Sequence, residues 1–321
     1  MDMKKIALIV LCLCLVTCAA LAEGALSYRF ADAGEAAALR LSNRNYFDNL
    51  NQNDLNYRMQ KTDATLEEYE AYSAAQMLDF TEAEKAAVDS AVAHIEEVSR
   101  ERGYRLPATD GIVFCKSTMA DECGAGGYTH GTQIYLGEGV LNLGLSDNPE
   151  MTGYFREIVT HEVFHCLTRN HPEFRAAMYA ILGFTVTGKD VEFGPSVREL
   201  MISNPDVEHH DAYATFEIDG RNVDCVTVFL SAKPFERPGD SFFSGMVTGL
   251  VPVDDPDTLY TSEDAANFFD VFGRNTEYVI DPEETMADNF SYVIMDGAES
   301  PRYNSPEIPR KIDAWLKGEA D

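Results

Sequence analysis

Cationic residues are scarce in this sequence: 25 Lys and Arg stand against 54 Asp and Glu over 321 residues, a formal charge of −29. Nucleic acid and anionic membranes both need a basic surface, so this balance disfavours either as a partner. It fits a protein kept soluble outside the cell, with a preference for cationic substrates as the alternative use of the same charge. After the N-terminal apolar stretch, no run approaches the ~20 apolar residues that a membrane span needs. The cysteines contain no C-x-x-C pair, which argues against a cysteine-rich zinc site. Internal repeats and low-complexity tracts are absent as well.

The chain begins with Lys4 and Lys5, an apolar run from Ile6 to Val16, and small residues ending Ala20-Leu21-Ala22. This is the pattern of a secretory signal peptide over residues 1–22, and it predicts export. Leu15-Val16-Thr17-Cys18 also loosely matches a bacterial lipobox, which would make Cys18 a lipid anchor and the protein a cell-surface lipoprotein. Thr17 is larger than the residue usual before that cysteine, so free secretion is the first reading. About 299 residues then remain, enough for one large domain. We expect an N-terminal helical or leader segment over residues 23–80 and a catalytic domain over residues 81–321. Four cysteines survive cleavage: Cys115, Cys123, Cys166 and Cys225. An even number in an exported chain predicts two disulfides, with Cys115–Cys123 and Cys166–Cys225 the preferred pairing. The oligomeric state is left open.

Weak helical periodicity runs from Leu66 to Met77. A firmer helix should start at Thr81, which has capping-box spacing to Glu84, and end near Gly103. Two β-rich runs follow, Gly111 to Lys116 and Tyr128 to Leu136, and their proximity predicts antiparallel pairing. Asn148 and Pro149 read as N-cap and first residue of a helix reaching about Arg169, with a further helix from Pro172 to Leu182. Asp219-Gly220-Arg221-Asn222 signals a hairpin between Tyr213 to Ile218 and Val223 to Leu230. Later helices are expected at 262–272, 282–294 and 306–315.

The segment that carries chemistry is His161-Glu162-Val163-Phe164-His165, an H-E-x-x-H motif inside a periodic helix. Residues four apart lie about 40° round the helix axis and one turn up, so both imidazoles can reach one ion. Glu162 sits beside that ion, placed to take a proton from an activated water and return it to the leaving amine. A zinc ion, Zn2+, is the cofactor this implies.

With this motif, and with Glu284 and Asp288 in Asp281-Pro282-Glu283-Glu284-Thr285-Met286-Ala287-Asp288, the chain resembles the gluzincins. In those thermolysin-like zinc metallopeptidases a later E-x-x-x-D helix completes H-E-x-x-H. The resemblance covers two short segments, and the 119 residues from His165 to Glu284 are many more than in thermolysin. It implies His161, His165 and Glu284 as metal ligands, Glu162 as general base, and Asp288 as acceptor for the Nδ1 hydrogen of His161. Glu284 has an alternative use: with Asp281 as N-cap and Pro282 at N1 it could close a capping box. A rival third ligand is His171, at metzincin spacing, although Thr168 stands where that family has the glycine that lets the helix turn back. Tyr278 is the first candidate for stabilising the reacting carbonyl oxygen, followed by His210 and Tyr213, and the Tyr128 to Leu136 run is the candidate substrate-binding edge strand. The expected fold is α+β: a mostly helical zincin-like domain with a small antiparallel sheet. The expected function is a secreted zinc metallopeptidase acting on peptides or proteins. The alternative is a secreted or surface-tethered binding protein with a structural or vestigial zinc site.

Overall fold

The computed structural model describes residues 26–231 and 233–319. The signal peptide expected over residues 1–22 and the alternative anchor at Cys18 lie outside the described residues. No helix among the described residues is long and apolar enough to cross a membrane.

The architecture is α+β, with two five-stranded sheets. The first holds β1 (Leu26–Phe30), β2 (Met77–Leu78), β3 (Thr109–Ser117), β4 (Gly127–His130) and β5 (Gln133–Gly137) in the order β1-β3-β5-β4, with β2 paired to β3. Between β1 and β2 lie α1 (Ala33–Ser42), α2 (Arg44–Asn49), α3 (Gln52–Met59) and α4 (Leu66–Ala74), and α5 (Glu82–Arg102) leads into β3. After β5 come α6 (Glu138–Gly144), α7 (Pro149–Asn170) and α8 (Pro172–Ile181). The second sheet, antiparallel throughout, runs β10-β9-β8-β7-β6. Its strands are β6 (Thr185–Val186), β7 (Ala212–Ile218), β8 (Arg221–Ser231), β9 (Met246–Pro252) and β10 (Tyr260–Thr261), with α9 (Pro195–Leu200) between β6 and β7. The chain ends with α10 (Phe268–Phe272), α11 (Pro282–Asp296) and α12 (Glu307–Leu316).

The expected small antiparallel sheet is corrected in the first sheet, where β1 pairs with β3 and β3 with β5 in parallel. The Tyr128 to Leu136 run is not one strand but a hairpin. It turns at Gly131 (φ 55°) and Thr132, so β4 is antiparallel to β5 while β5 runs alongside β3. The 262–272 helix is likewise broken, into a 3₁₀ turn at Ser262–Asp264 and α10.

Strand alternation explains how the first sheet serves two cores. Ile112, Phe114, Ile134 and Leu136 face the main core with α5, α7 and α11, whereas Val113, Cys115, Tyr128 and Tyr135 face a second cluster with Ala36 of α1. With both faces covered, β3 is buried from Ile112 to Ser117. Thr129 is buried between Tyr128 and His130 and, by the same alternation, turns toward α7.

All four described cysteines are free, which corrects the expected disulfides. Cys115 packs with Tyr128 and Tyr135 on one side of β3, while Cys123 packs against the separate Tyr57–Phe235 cluster. Cys166 and Cys225 are wholly buried in the main core as small apolar side chains. Burial pushes the thiols of Cys115, Cys123 and Cys225 up to about 12, which leaves them poor nucleophiles.

Candidate metal centre

The helix α7 starts as its sequence dictates, with Asn148 accepting from Glu150 N and Pro149 at the first helical position. It brings the His161 and His165 rings to 4.8 Å between centroids. Across them lies α11, held by the Phe164 ring, which packs at 5.3 Å on Phe290 and at 5.6 Å on Phe174 of α8. Asp281 caps α11 by accepting from Glu283 N at 2.8 Å, and Thr227 of β8 donates to the same carboxylate. Glu284 does not close that cap. Its carboxylate is wholly buried and turned onto the two histidines.

His161, His165 and Glu284 form a cluster that could hold a cation. His161 Nε2 is 3.0 Å and His165 Nε2 3.7 Å from Glu284 Oε2, and the three ligand atoms lie within 4.8 Å of one another. A tetrahedral zinc with bonds of about 2.0–2.2 Å spaces its ligand atoms about 3.3–3.5 Å apart, so the donor set fits zinc with small shifts. His165 Nε2 is fully buried and has no hydrogen-bond partner. Asn204 Nδ2 donates to Glu284 Oε1 at 2.5 Å, which leaves Oε2 for a metal.

Each histidine is oriented from its far side. His161 Nδ1 donates to Asp288 Oδ1 at 2.8 Å, and Thr276 Oγ1 holds the other oxygen of that carboxylate. His165 Nδ1 donates to Glu283 Oε1 at 2.9 Å, and Glu283 also accepts from Thr168 and Tyr179. Both bonds fix the tautomer that points Nε2 at the common centre. Although burial opposes ionisation, these donors hold Glu283 down at about 2 and Asp288 below its ordinary range. Glu284 is likewise lowered: burial, the largest single influence, opposes ionisation, and the bond to His161, the nearness of both histidines and the bond from Asn204 together outweigh it.

Glu162 is 4 % exposed, pushed up by burial, and its Oε2 accepts from Thr129 Oγ1 at 2.7 Å. β4, the edge strand, passes so close that a Cβ on Gly127 would stand 2.7 Å from Glu162 Oε1.

The structure thus brings His161, Glu162, His165, Glu284 and Asp288 together. Tyr278 joins them at the margin, its hydroxyl 3.4 Å from Glu284 Oε1. His171 does not belong: it is the C-cap of α7 and its Nε2 donates to Ala108 O at 2.8 Å, away from the centre. His210 lies against Phe193 and Tyr213 pairs along β7, so neither reaches the centre. Sequence reasoning missed Glu283, Thr129, Asn204 and Asp206. The paired Glu283-Glu284 at a helix start was a readable signal for the first, whereas Asn204 and Asp206 sit in an irregular loop without one. Asp206 Oδ1 lies 4.0 Å from His165 Nε2, and Glu162, His165 and Asp206 form a second candidate metal cluster. No family model, curated protein or solved structure matches this chain, so the centre is read from its own geometry.

Proposed function

We propose that the chain is an exported zinc metallopeptidase of zincin-like architecture that hydrolyses peptide bonds, a distant relative of the gluzincins. The observation that carries this reading is His165 Nε2, an imidazole nitrogen sealed from solvent, with no hydrogen-bond partner, facing Glu284 and next in line to His161. Leaving a buried polar group unpaired costs ~1–3 kcal/mol, and this nitrogen, unlike the unpartnered ones of His130 and His210, belongs to a cluster of metal-ligand atoms. A shared cation explains it.

Zinc, when bound, supplies the Lewis acidity that polarises the scissile carbonyl and acidifies a water. Glu162 takes the proton of that water and returns it to the leaving amine, and its hydrogen bond to Thr129 fixes the direction in which it faces. Tyr278 is placed to donate to the carbonyl oxygen as it gains charge. Asp288 and Glu283 accept from the two Nδ1 atoms and so aim both Nε2 atoms inward.

Purified protein is expected to carry stoichiometric zinc and to cleave an unstructured protein such as casein. Glu162→Gln should keep the zinc and lose ~10²–10⁴-fold in rate, the usual contribution of a general base. A zinc-free wild type, or a Glu162→Gln variant with full activity, would sink the reading.

A second reading, an exported binding protein with a structural zinc, is favoured by one observation: Asp206 Oδ1 stands 4.0 Å from His165 Nε2, a further carboxylate beside the same histidine. Against it stands Glu162, a base that a structural site has no use for.

A further inference from the structure

The loop between α9 and β7 lies where a peptide substrate would lie. An extended substrate adds to an edge strand by taking its outward N–H groups. On β4 and in the turn just past it, the backbone N–H groups of Thr129 and Gly131 both face the loop. Both are already taken: Thr129 N donates to Asp206 Oδ1 at 2.5 Å and Gly131 N donates to Glu208 Oε1 at 2.6 Å. The loop is clamped at further points, with Asn204 on Glu284 and Arg169 Nη2 donating to Asp206 O at 2.7 Å. Asp206 is 7 % exposed and its carboxylate is grouped with Glu162 and the unpartnered His165 Nε2, all within 4.8 Å. That is the space between Glu162 and His165 in which, on the metallopeptidase reading, the attacking water would stand.

We propose that Asp206 is a fourth, displaceable zinc ligand, and that the Asn204–Glu208 segment occupies the substrate groove, so that this structure is the latched form of the enzyme. The proposal rests on the metallopeptidase reading and adds its regulation: activity requires the segment to leave β4 and Asp206 to leave the metal. The loop makes its contacts with the groove through the side chains of Asn204, Asp206 and Glu208 and through Asp206 O, which Arg169 holds, rather than through a continuous backbone ladder. Release therefore breaks a few side-chain bonds and no secondary structure.

The test compares wild type with Asp206→Ala and with Asp206→Asn, which keeps an acceptor for Thr129 N and removes the anionic ligand. Three quantities are read on each: zinc per chain, the Kd for acetohydroxamate, and the rate of casein hydrolysis. A ligand that binds only the open form has its affinity reduced by the fraction open, so freeing a latch closed nine-tenths of the time tightens binding by about tenfold. Both variants are expected to keep their zinc, to bind acetohydroxamate about tenfold more tightly than wild type, and to hydrolyse casein faster. Unchanged hydroxamate affinity with zinc retained would overturn the latch and leave the metallopeptidase reading standing. So would a fall in both affinity and rate, which would make Asp206 a support of the working site. Absence of zinc from the wild type would overturn both.

Discussion

Glu283 and Asp288 each accept from one of the paired histidines of α7, and on the proposed reading neither touches the ion yet both set its affinity. Glu283 accepts from His165 Nδ1, Thr168 and Tyr179 at once, and Asp288 accepts from His161 and Thr276. Removing either frees an imidazole to rotate and to switch tautomer. Glu283→Ala and Asp288→Ala should each weaken zinc binding by about 10–100-fold, measured by competition with a chelator. A loss confined to stability, with zinc affinity intact, would make these carboxylates packing groups only. At this scale the sequence showed His161, Glu162, His165, Glu284 and Asp288, because each stands at helical spacing from another. Asp206 was hidden because a loop residue has no period to betray where it folds back.

Between elements, the close contact is that of β4 with α7. Gly127 leaves room for Glu162 where any Cβ would intrude. Gly127→Ala should push the base off line and cost about 10²-fold in hydrolysis rate with zinc content unchanged, as small misplacements at reacting groups do. Unaltered kinetics would show that the strand yields instead. The helices were legible from their ends: Thr81 with Glu84, Asn148 with Pro149, and Asp281 with Pro282 all cap as the sequence implies. So was the β7–β8 hairpin, whose Asp219 and Gly220 both take positive φ, as a two-residue turn requires. The parallel pairing of β3 with β5 was not legible, since the turn at Gly131-Thr132 lies inside an unbroken β-rich run. Cysteine count misled for a related reason: an even number says nothing of which cluster each thiol enters.

Over the whole molecule, residues before the proposed catalytic unit are tied into it by a buried ionic cluster. Arg40 of α1, fully buried, binds Glu122, Tyr69 and Ser73 and donates to His130 Nε2 of β4, while Arg58 of α3 joins Glu122 to Asp54. Arg40→Ala should destabilise by ~3–5 kcal/mol, read by denaturant melts, because it strands Asp121 without its cation and leaves Glu122 to Arg58 alone. Burial, with Arg40 and Arg169 nearby, holds His130 well below the ordinary histidine range. The folded ring is neutral and the unfolded ring gains a proton, so this contribution is complete above about pH 6.5 and is lost below it. Compared with His130→Gln, wild type should lose ~1.4 kcal/mol for each pH unit below about 6.5. Parallel pH profiles for the two would contradict that assignment. On the proposed reading His161, His165 and Glu284 hold one zinc. Metal content by mass spectrometry tests it most directly: wild type and His171→Ala should both carry stoichiometric zinc, and Glu284→Ala should carry almost none. Zinc retained by Glu284→Ala but lost from His171→Ala would contradict it.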